Sequence, residues 1–395
     1  MNTVHPGDWR RPWTDAVETI RRQYGDQIGR PTGELITPAL VLDADVADRN
    51  IETMSTTLAG GHVGLRPHTK VHKSPDLAKW QIAAGAVGVT VASVWEAAAM
   101  GSAGVSDVLI ANEVVGPAKV GAAARLARHI RLEIVVDDVT NIADFSAAAA
   151  AAGSTVDVLV DLDVGMARCG ARSPQEALAL ARAVDAAPHL RLRGVQAYEG
   201  HCMLEPDLTQ RILKANEAMD YAGMVKTLLS DDGLDVPVLS GGGTGTYNVT
   251  GMHPSVTELQ AGSYVFMDAF HGSLVPGFEV SLTVHSTVVA RHGDTVVLDA
   301  GRKSVGIDFV LPPIFGEDLV ARYFAEEHAL FEVESRFPAQ PGDHVRLICG
   351  YAPTTVNLHD VIFIARDERV VDVWPVFPRG PHHHGFLRSL EALMN

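Results

Sequence analysis

Between residues 65 and 75 the chain reads "LRPHTKVHKSP", a segment that gathers Arg66, His68, Lys70, His72 and Lys73 in an otherwise acidic protein. An extended strand sends alternate side chains to opposite faces, so Arg66, His68, Lys70 and His72 are predicted to share one face. Lys73 then lies on the other face as an ordinary solvated charge. On a sheet edge such a row guards against aggregation. Inside a barrel it needs a chemical reason, because unpaired buried cations are costly. Other candidate groups are Asp163 with Arg168 in "DVGMARCG", Tyr198 with His201 in "YEGHCM", and the loop "SGGGTGTY" at 240–247. That loop has neither the lysine of GxxxxGK[ST] nor the spacing of GxGxxG, which excludes a P-loop and a dinucleotide fingerprint. Its consecutive glycines suit close approach of backbone N–H groups to an anion, and equally a tight turn. The histidines at 382–384 alternate in direction if extended, and read as a solvated tail rather than a chelate.

These groups need elements to carry them. The chain has 395 residues, enough for two domains. With 47% apolar and 20% charged residues it is an ordinary globular protein. A net charge of −16 argues against general binding to nucleic acid or anionic membranes, while leaving room for a local basic pocket. No run of eighteen apolar residues and no signal-peptide pattern occur, so a soluble, unexported, cytoplasmic protein is expected. Cys169, Cys202 and Cys349 are few and widely spaced, which fits a reducing compartment without disulfides.

Short β-rich runs at 39–44, 64–70, 87–93, 107–112, 131–137, 156–165, 193–200 and 236–243 alternate with Ala- and Leu-rich stretches that suit helices. Most are nearly continuously apolar, as parallel strands covered on both faces are. Eight such units predict an α/β fold, a (β/α)8 TIM barrel, with a doubly wound sheet as the rival. Past residue 273 the pattern becomes alternating strands with Gly-Asp turns, hence a β-rich C-terminal domain. The predicted division is an N-terminal segment 1–35 packing with the β domain, a barrel at 36–272, and the β domain at 273–395. In such a barrel the working groups sit at the C-terminal ends of the strands.

Taken in order, "TPALVLDADVADRNI", "RPHTKVHK", "DVGMARCG", "YEGHCM", "GGGTGTY", "ELQAGSYVFMD" and "TTVNLHD" resemble the D-threonine aldolase and D-serine dehydratase family, over roughly residues 36–378. The resemblance implies an alanine-racemase-like fold and pyridoxal 5′-phosphate (PLP) as cofactor. It implies that Lys70 forms the Schiff base, its pKa lowered by partial burial and by Arg66, His68 and His72. Arg168 would hold the phenolic oxygen, with an ion pair to Asp163 as its alternative role. Gln260 would face the pyridine nitrogen, where a neutral amide makes the ring a moderate electron sink. Gly243, Thr244, Gly262 and Ser263 are the implied phosphate contacts, with Tyr264 nearby. Tyr198 would lie beside the cofactor, or be a buried tyrosine satisfied by a backbone carbonyl.

One departure from the family stands out. Its divalent-metal ligands, read as His-x-Asp or His-x-Cys before "TVN", align with Tyr351 and Pro353. Proline has no ligand atom and a phenol is a poor one, so no metal is expected there. The proton of a substrate β-hydroxyl then falls to Tyr351, His201 or His359. The expected function is a PLP-dependent lyase cleaving D-configured β-hydroxy amino acids to glycine and an aldehyde. Dehydration of D-serine or 3-hydroxyaspartate type, or racemisation, are the alternatives, as is a PLP-binding protein without turnover. The resemblance also implies a homodimer acting on a small amino acid, with no nucleic-acid or membrane partner.

Overall fold

The computed structural model describes residues 9–317, 319, 321–334 and 337–380. The histidines at 382–384 therefore lie outside the described residues. The first strand, β1 (Ala39–Asp43), is followed by β2 (Gly64–Leu65), β3 (Val89–Val91), β4 (Asp107–Glu113), β5 (Arg131–Val136), β6 (Val156–Asp161), β7 (Leu190–Ala197), β8 (Val238–Gly241) and β9 (Glu258–Leu259). Strands β2 to β9 form one curled parallel sheet in the order β2-β9-β8-β7-β6-β5-β4-β3. The ring closes where the Val87 N–H donates to the Leu65 carbonyl at 2.8 Å and the Thr90 N–H to the Pro67 carbonyl at 2.9 Å. Helices cover the outside, and several start where the sequence provides a cap. Ser74, Ser93 and Ser173 each accept an N–H from the first turn, and proline follows the first and last of them.

The second sheet contains β10 (Leu282–His292), β11 (Thr295–Leu298), β12 (Ala321–Phe324), β13 (Ala329–Glu332), β14 (His344–Ile348), β15 (Val361–Arg366) and β16 (Arg369–Pro375). It also contains β1, which pairs antiparallel with β10 and parallel with β15. The expected barrel strand at 39–44 thus belongs to the other sheet. A short run buried on both faces looks the same in either setting. The barrel strand that takes its place is β9, whose two residues are too few to show a pattern. The helix Arg11–Tyr24 lies on this sheet, with Tyr24 edge-on to Phe363 at 5.8 Å and Arg21 3.8 Å from Asp372. No described helix is long and apolar enough to cross a membrane.

Counting in twos along the barrel strands separates its interior into layers. At the floor, Arg66 donates to Asp107 at 2.6 Å and to both oxygens of Glu258 at 2.9 Å, beside the buried Glu133 and an Asp157 that receives Arg191. Two residues further along lie Leu109, Val135, Leu159 and Val238, an apolar plug. Beyond the plug come Ala111, Gln196 and Gln260, which line the mouth. The plug shields the mouth from the charged floor, and each layer is set by strand register alone.

This layering corrects the reading of segment 65–75. The strand stops at Leu65, and Thr69–Val71 form a 3-10 turn, so no single row of four bases exists. Arg66 is committed to the floor. His72 is buried on Gln81 at 3.2 Å and accepts the Ser74 N–H at 3.0 Å. Lys73 is not a solvated charge but a partly buried partner of Glu96 at 2.5 Å.

Candidate active site

The mouth opens into a cavity of about 270 Å³, bounded on one side by the barrel and on the other by Phe309 and Tyr351 of the second domain. The cavity brings together His68, Lys70, Arg168, Tyr198, Gly243, Thr244, Gln260, Gly262, Ser263 and Tyr351 from the expected residues. Lys70 sits on the 3-10 turn after β2, its own N–H reaching His68 Nδ1 at 3.4 Å. Burial, and then the Arg168 guanidinium, lower its pKa, against a smaller opposing effect of Glu96. None of Arg66, His68 and His72 contributes to that shift, which corrects their expected role. His68 is itself kept neutral, chiefly by burial and then by Lys70.

Arg168 and Lys70 approach the same ring. The guanidinium carbon lies 5.9 Å and the Lys70 Nζ 5.8 Å from the centroid of Tyr198. Asp163, the alternative partner for Arg168, uses Oδ1 to accept the N–H groups of Gly165 and Ala167 at 3.0 Å and so shapes the loop. Burial raises the Tyr198 phenol pKa, so the ring enters the cavity as a neutral surface. Gln260 Nε2 donates to Gln196 Oε1 at 3.1 Å and to Ser240 Oγ at 2.9 Å, which fixes the amide.

The glycine loop leaves β8 with Gly242 at φ +79°, where a Cβ would meet Leu259, and continues into the 3-10 turn Thr244–Thr246. A second 3-10 turn, Ser263–Val265, starts beside it, and Gly262 is packed so that a Cβ would lie 2.6 Å from the His68 carbonyl. Leading N–H groups of such turns have no partner within the turn. The loop is anchored by fully buried Glu199, which accepts from the Gly242 N–H at 3.1 Å, Thr246 at 2.7 Å and Thr250 at 2.5 Å.

Three expected residues do not line the cavity. Tyr264 is buried behind it, its hydroxyl accepting from Gln81 at 2.8 Å, and it supports the loop through its own N–H, which donates to Thr244 at 3.0 Å. His359 Nε2 lies 2.7 Å from the Ser304 carbonyl, and burial lowers its pKa. His201 packs against Gly165, with Nε2 3.7 Å from Cys202 Sγ. The cavity also contains His271, Phe270, Gln196, Met166 and Met203, which sequence reasoning missed. The signal for His271 was present as "MDAFHG", with Asp268 capping and His271 three residues on. It lay where the chain reads as a domain seam.

Tyr351 caps the helix Ala352–Val356, whose first turn contains Pro353. Its phenol is pushed up to about 12, by burial first and then by Asp268 and Asp308. Among the described residues, one set of three metal-capable side chains has ligand atoms within 4.8 Å of one another: Glu113, Asp137 and Cys169. None of the three lines the cavity.

Comparison with known proteins now bears on this geometry. The alanine racemase N-terminal domain model matches residues 42–269, and the serine dehydratase domain model matches 281–365. The D-threonine aldolase of Arthrobacter sp is 37% identical over 361 residues, 90% of this chain and 95% of its own. This chain belongs to the D-threonine aldolase family. Within it, the 3-hydroxy-D-aspartate aldolase of Paracoccus denitrificans is 36% identical over 366 residues, 89% of this chain and 94% of its own. The crystal structure of D-threonine aldolase from Filomicrobium marinum superposes with a TM-score of 0.86 at 37% identity, covering 89% of this chain and 98% of that one. The family's architecture, an alanine-racemase-like barrel with a β-rich second domain, is the one described above. The chain is thus a homologue of lyases.

Proposed function

We propose that this family member is a PLP-dependent lyase that cleaves D-configured β-hydroxy amino acids to glycine and an aldehyde. The observation that carries the reading is a lysine of lowered pKa in the barrel-mouth cavity beside an arginine, a tyrosine face and two glycine-led turns. Those residues fit PLP. Lys70 would hold its aldehyde carbon, Arg168 its phenolic oxygen, Gln260 its ring nitrogen, and Gly243, Thr244, Gly262 and Ser263 its phosphate. When bound, the group supplies an electron sink for a bond broken at the substrate α-carbon.

The chain's residues account for the rest. Depression of the Lys70 pKa makes more of the amine neutral and nucleophilic. Arg168 would hold negative charge at its side of the cavity, while Phe270, Phe309 and Met203 give it an apolar wall. The Tyr351–Pro353 pair does not fit the family's metal. Pro353 offers no ligand atom, and a phenol held to about 12 stays protonated and ligates poorly. The proposed reaction therefore uses no divalent ion at that position. The protein is further proposed to act as a homodimer, as the resemblance implies, and size by light scattering tests this.

Two measurements test the reading. The purified protein is expected to show a visible absorbance band that Lys70→Ala abolishes. Aldehyde release from D-phenylserine should proceed equally with and without a chelator. Absence of a band would refute the cofactor assignment, and strong inhibition by chelation would refute the metal-free site. The match to the serine dehydratase domain keeps one second reading, elimination rather than cleavage. Keto acid formed from D-serine, without aldehyde release, would favour it; an inverted enantiomer would instead indicate racemisation.

A further inference from the structure

The cavity contains a carboxylate–imidazole pair that the cofactor's own contacts leave unused. Asp268 is fully buried and caps the short helix Ala269–Gly272. Its Oδ1 accepts the His271 N–H at 2.7 Å and faces His271 Nδ1 at 2.8 Å, while Oδ2 accepts the Ala352 N–H at 2.8 Å. The carboxylate is thus held from both domains and cannot turn. An acceptor of this kind places a proton on Nδ1, so that in the neutral ring the lone pair is on Nε2. No hydrogen bond among the described residues engages Nε2, and His271 lines the cavity. The imidazole is kept in plane by the Tyr351 ring, stacked at 5.9 Å with an interplanar angle of 17°.

The other groups expected to handle the β-hydroxyl proton are less suited. His359 and His201 do not line the cavity, His359 being bonded to Ser304. Tyr351 does line it, but a phenol held to about 12 is not ionised near neutral pH and cannot accept a proton. Lys70 is committed to the cofactor in the reading above. What remains is an imidazole oriented by a buried carboxylate, the arrangement that serves general-base catalysis where pH is near neutral.

We propose that His271 is the general base for the substrate β-hydroxyl and that Asp268 positions it; this rests on the lyase reading above. His271 Nε2 takes the hydroxyl proton as the O–H electron pair becomes the second bond of the aldehyde C=O. The Cα–Cβ bond would break as this proton leaves, its electron pair accepted by the electron sink that PLP would supply if held by Lys70, Arg168 and Gln260. The proton taken from the hydroxyl is passed on to the former Cα, directly or through the Lys70 amine, so that glycine and aldehyde leave with the base restored. Because this base is a side chain, the position of the family's metal can be occupied by Tyr351 and Pro353 without loss of the step.

The experiment uses the full-length holoenzyme and two substrates. D-Alanine has no β-hydroxyl, and its binding is read as a change in the visible absorbance of the cofactor. D-Phenylserine reports cleavage by release of benzaldehyde. For His271→Gln the expected result is an unchanged response to D-alanine and a fall of about 10²- to 10⁴-fold in kcat for D-phenylserine. For Asp268→Asn, which retains the shape but reverses the hydrogen bond, a lower kcat with KM retained is expected. Cleavage undiminished in His271→Gln overturns the proposal. So does loss of the D-alanine response, which would make the role one of folding or cofactor retention. If the wild-type protein releases no benzaldehyde from D-phenylserine, the lyase reading itself fails, and that result is separable because it does not involve either variant.

Discussion

Glu133 sits on the barrel floor with 1% of its surface exposed, and neither carboxylate oxygen has a hydrogen-bond partner among the described residues. Its pKa is pushed up from the ordinary 4.5 to about 7, by burial first and by the Glu258 carboxylate second, against the pull of Arg66 and Arg131. A carboxyl whose folded pKa is raised costs nothing below its unfolded value, where both states hold the proton. The penalty grows as pH rises through the interval and is complete above the folded value. An upward shift from 4.5 to about 7 is worth about 3 kcal/mol. Glu133→Gln keeps the shape without the charge, so it is expected to be close to neutral near pH 4 and stabilising by about 3 kcal/mol near pH 8.5. Thermal and urea unfolding of both proteins at the two pH values provide the assay, and groups common to both cancel in the difference. A stability difference that does not change with pH would refute the reasoning, as would wild type gaining on the variant at high pH.

Other perturbations follow from the same geometry. Glu199→Ala leaves the Gly242 N–H, Thr246 and Thr250 without their buried acceptor, at about 1–3 kcal/mol for each donor. It should lower the melting temperature and release PLP on dialysis, and unchanged retention would contradict the anchoring role. Gly262→Ala would place a Cβ 2.6 Å from the His68 carbonyl and 2.8 Å from Val71, displacing the turn that carries Lys70. Loss of the visible band in a protein that still folds by circular dichroism is expected, and a wild-type spectrum would show that the turn yields freely. Arg66→Met strands Glu258 on the floor, Asp107 keeping Arg131 at 2.8 Å, and should cost about 3–5 kcal/mol, measured by urea unfolding. Adding Glu258→Gln should restore part of that loss; no recovery would mean that the pair is not what matters.

How much of this was legible beforehand depends on the kind of signal. The alternation of apolar strands and helices, and the change of texture near residue 273, come from local burial and turn chemistry, which a sequence expresses directly. The family motifs likewise marked Lys70, Arg168, Tyr198, Gln260 and the glycine turns, all of which the barrel mouth brings to one cavity. Strand β1 was misassigned because an apolar run records burial, not which sheet supplies it. Arg66 and Lys70 share a segment and a charge, yet one goes to the floor and the other to the mouth. The break after Leu65 and the 3-10 turn at Thr69–Val71 decide this, and no periodicity announces them.

The sequence by itself thus determined the barrel and the β-rich partner domain and marked most of the residues that line the barrel mouth, because each is written in nearest-neighbour propensity or in a motif. Tertiary structure alone decided which groups meet. Asp268 orients His271 and is held by the Ala352 N–H, while Tyr351 stacks on the imidazole from a segment eighty residues further along the chain. Contacts between residues so distant are set by how two domains close on one another, and the spacing of residues along a chain carries no record of that distance.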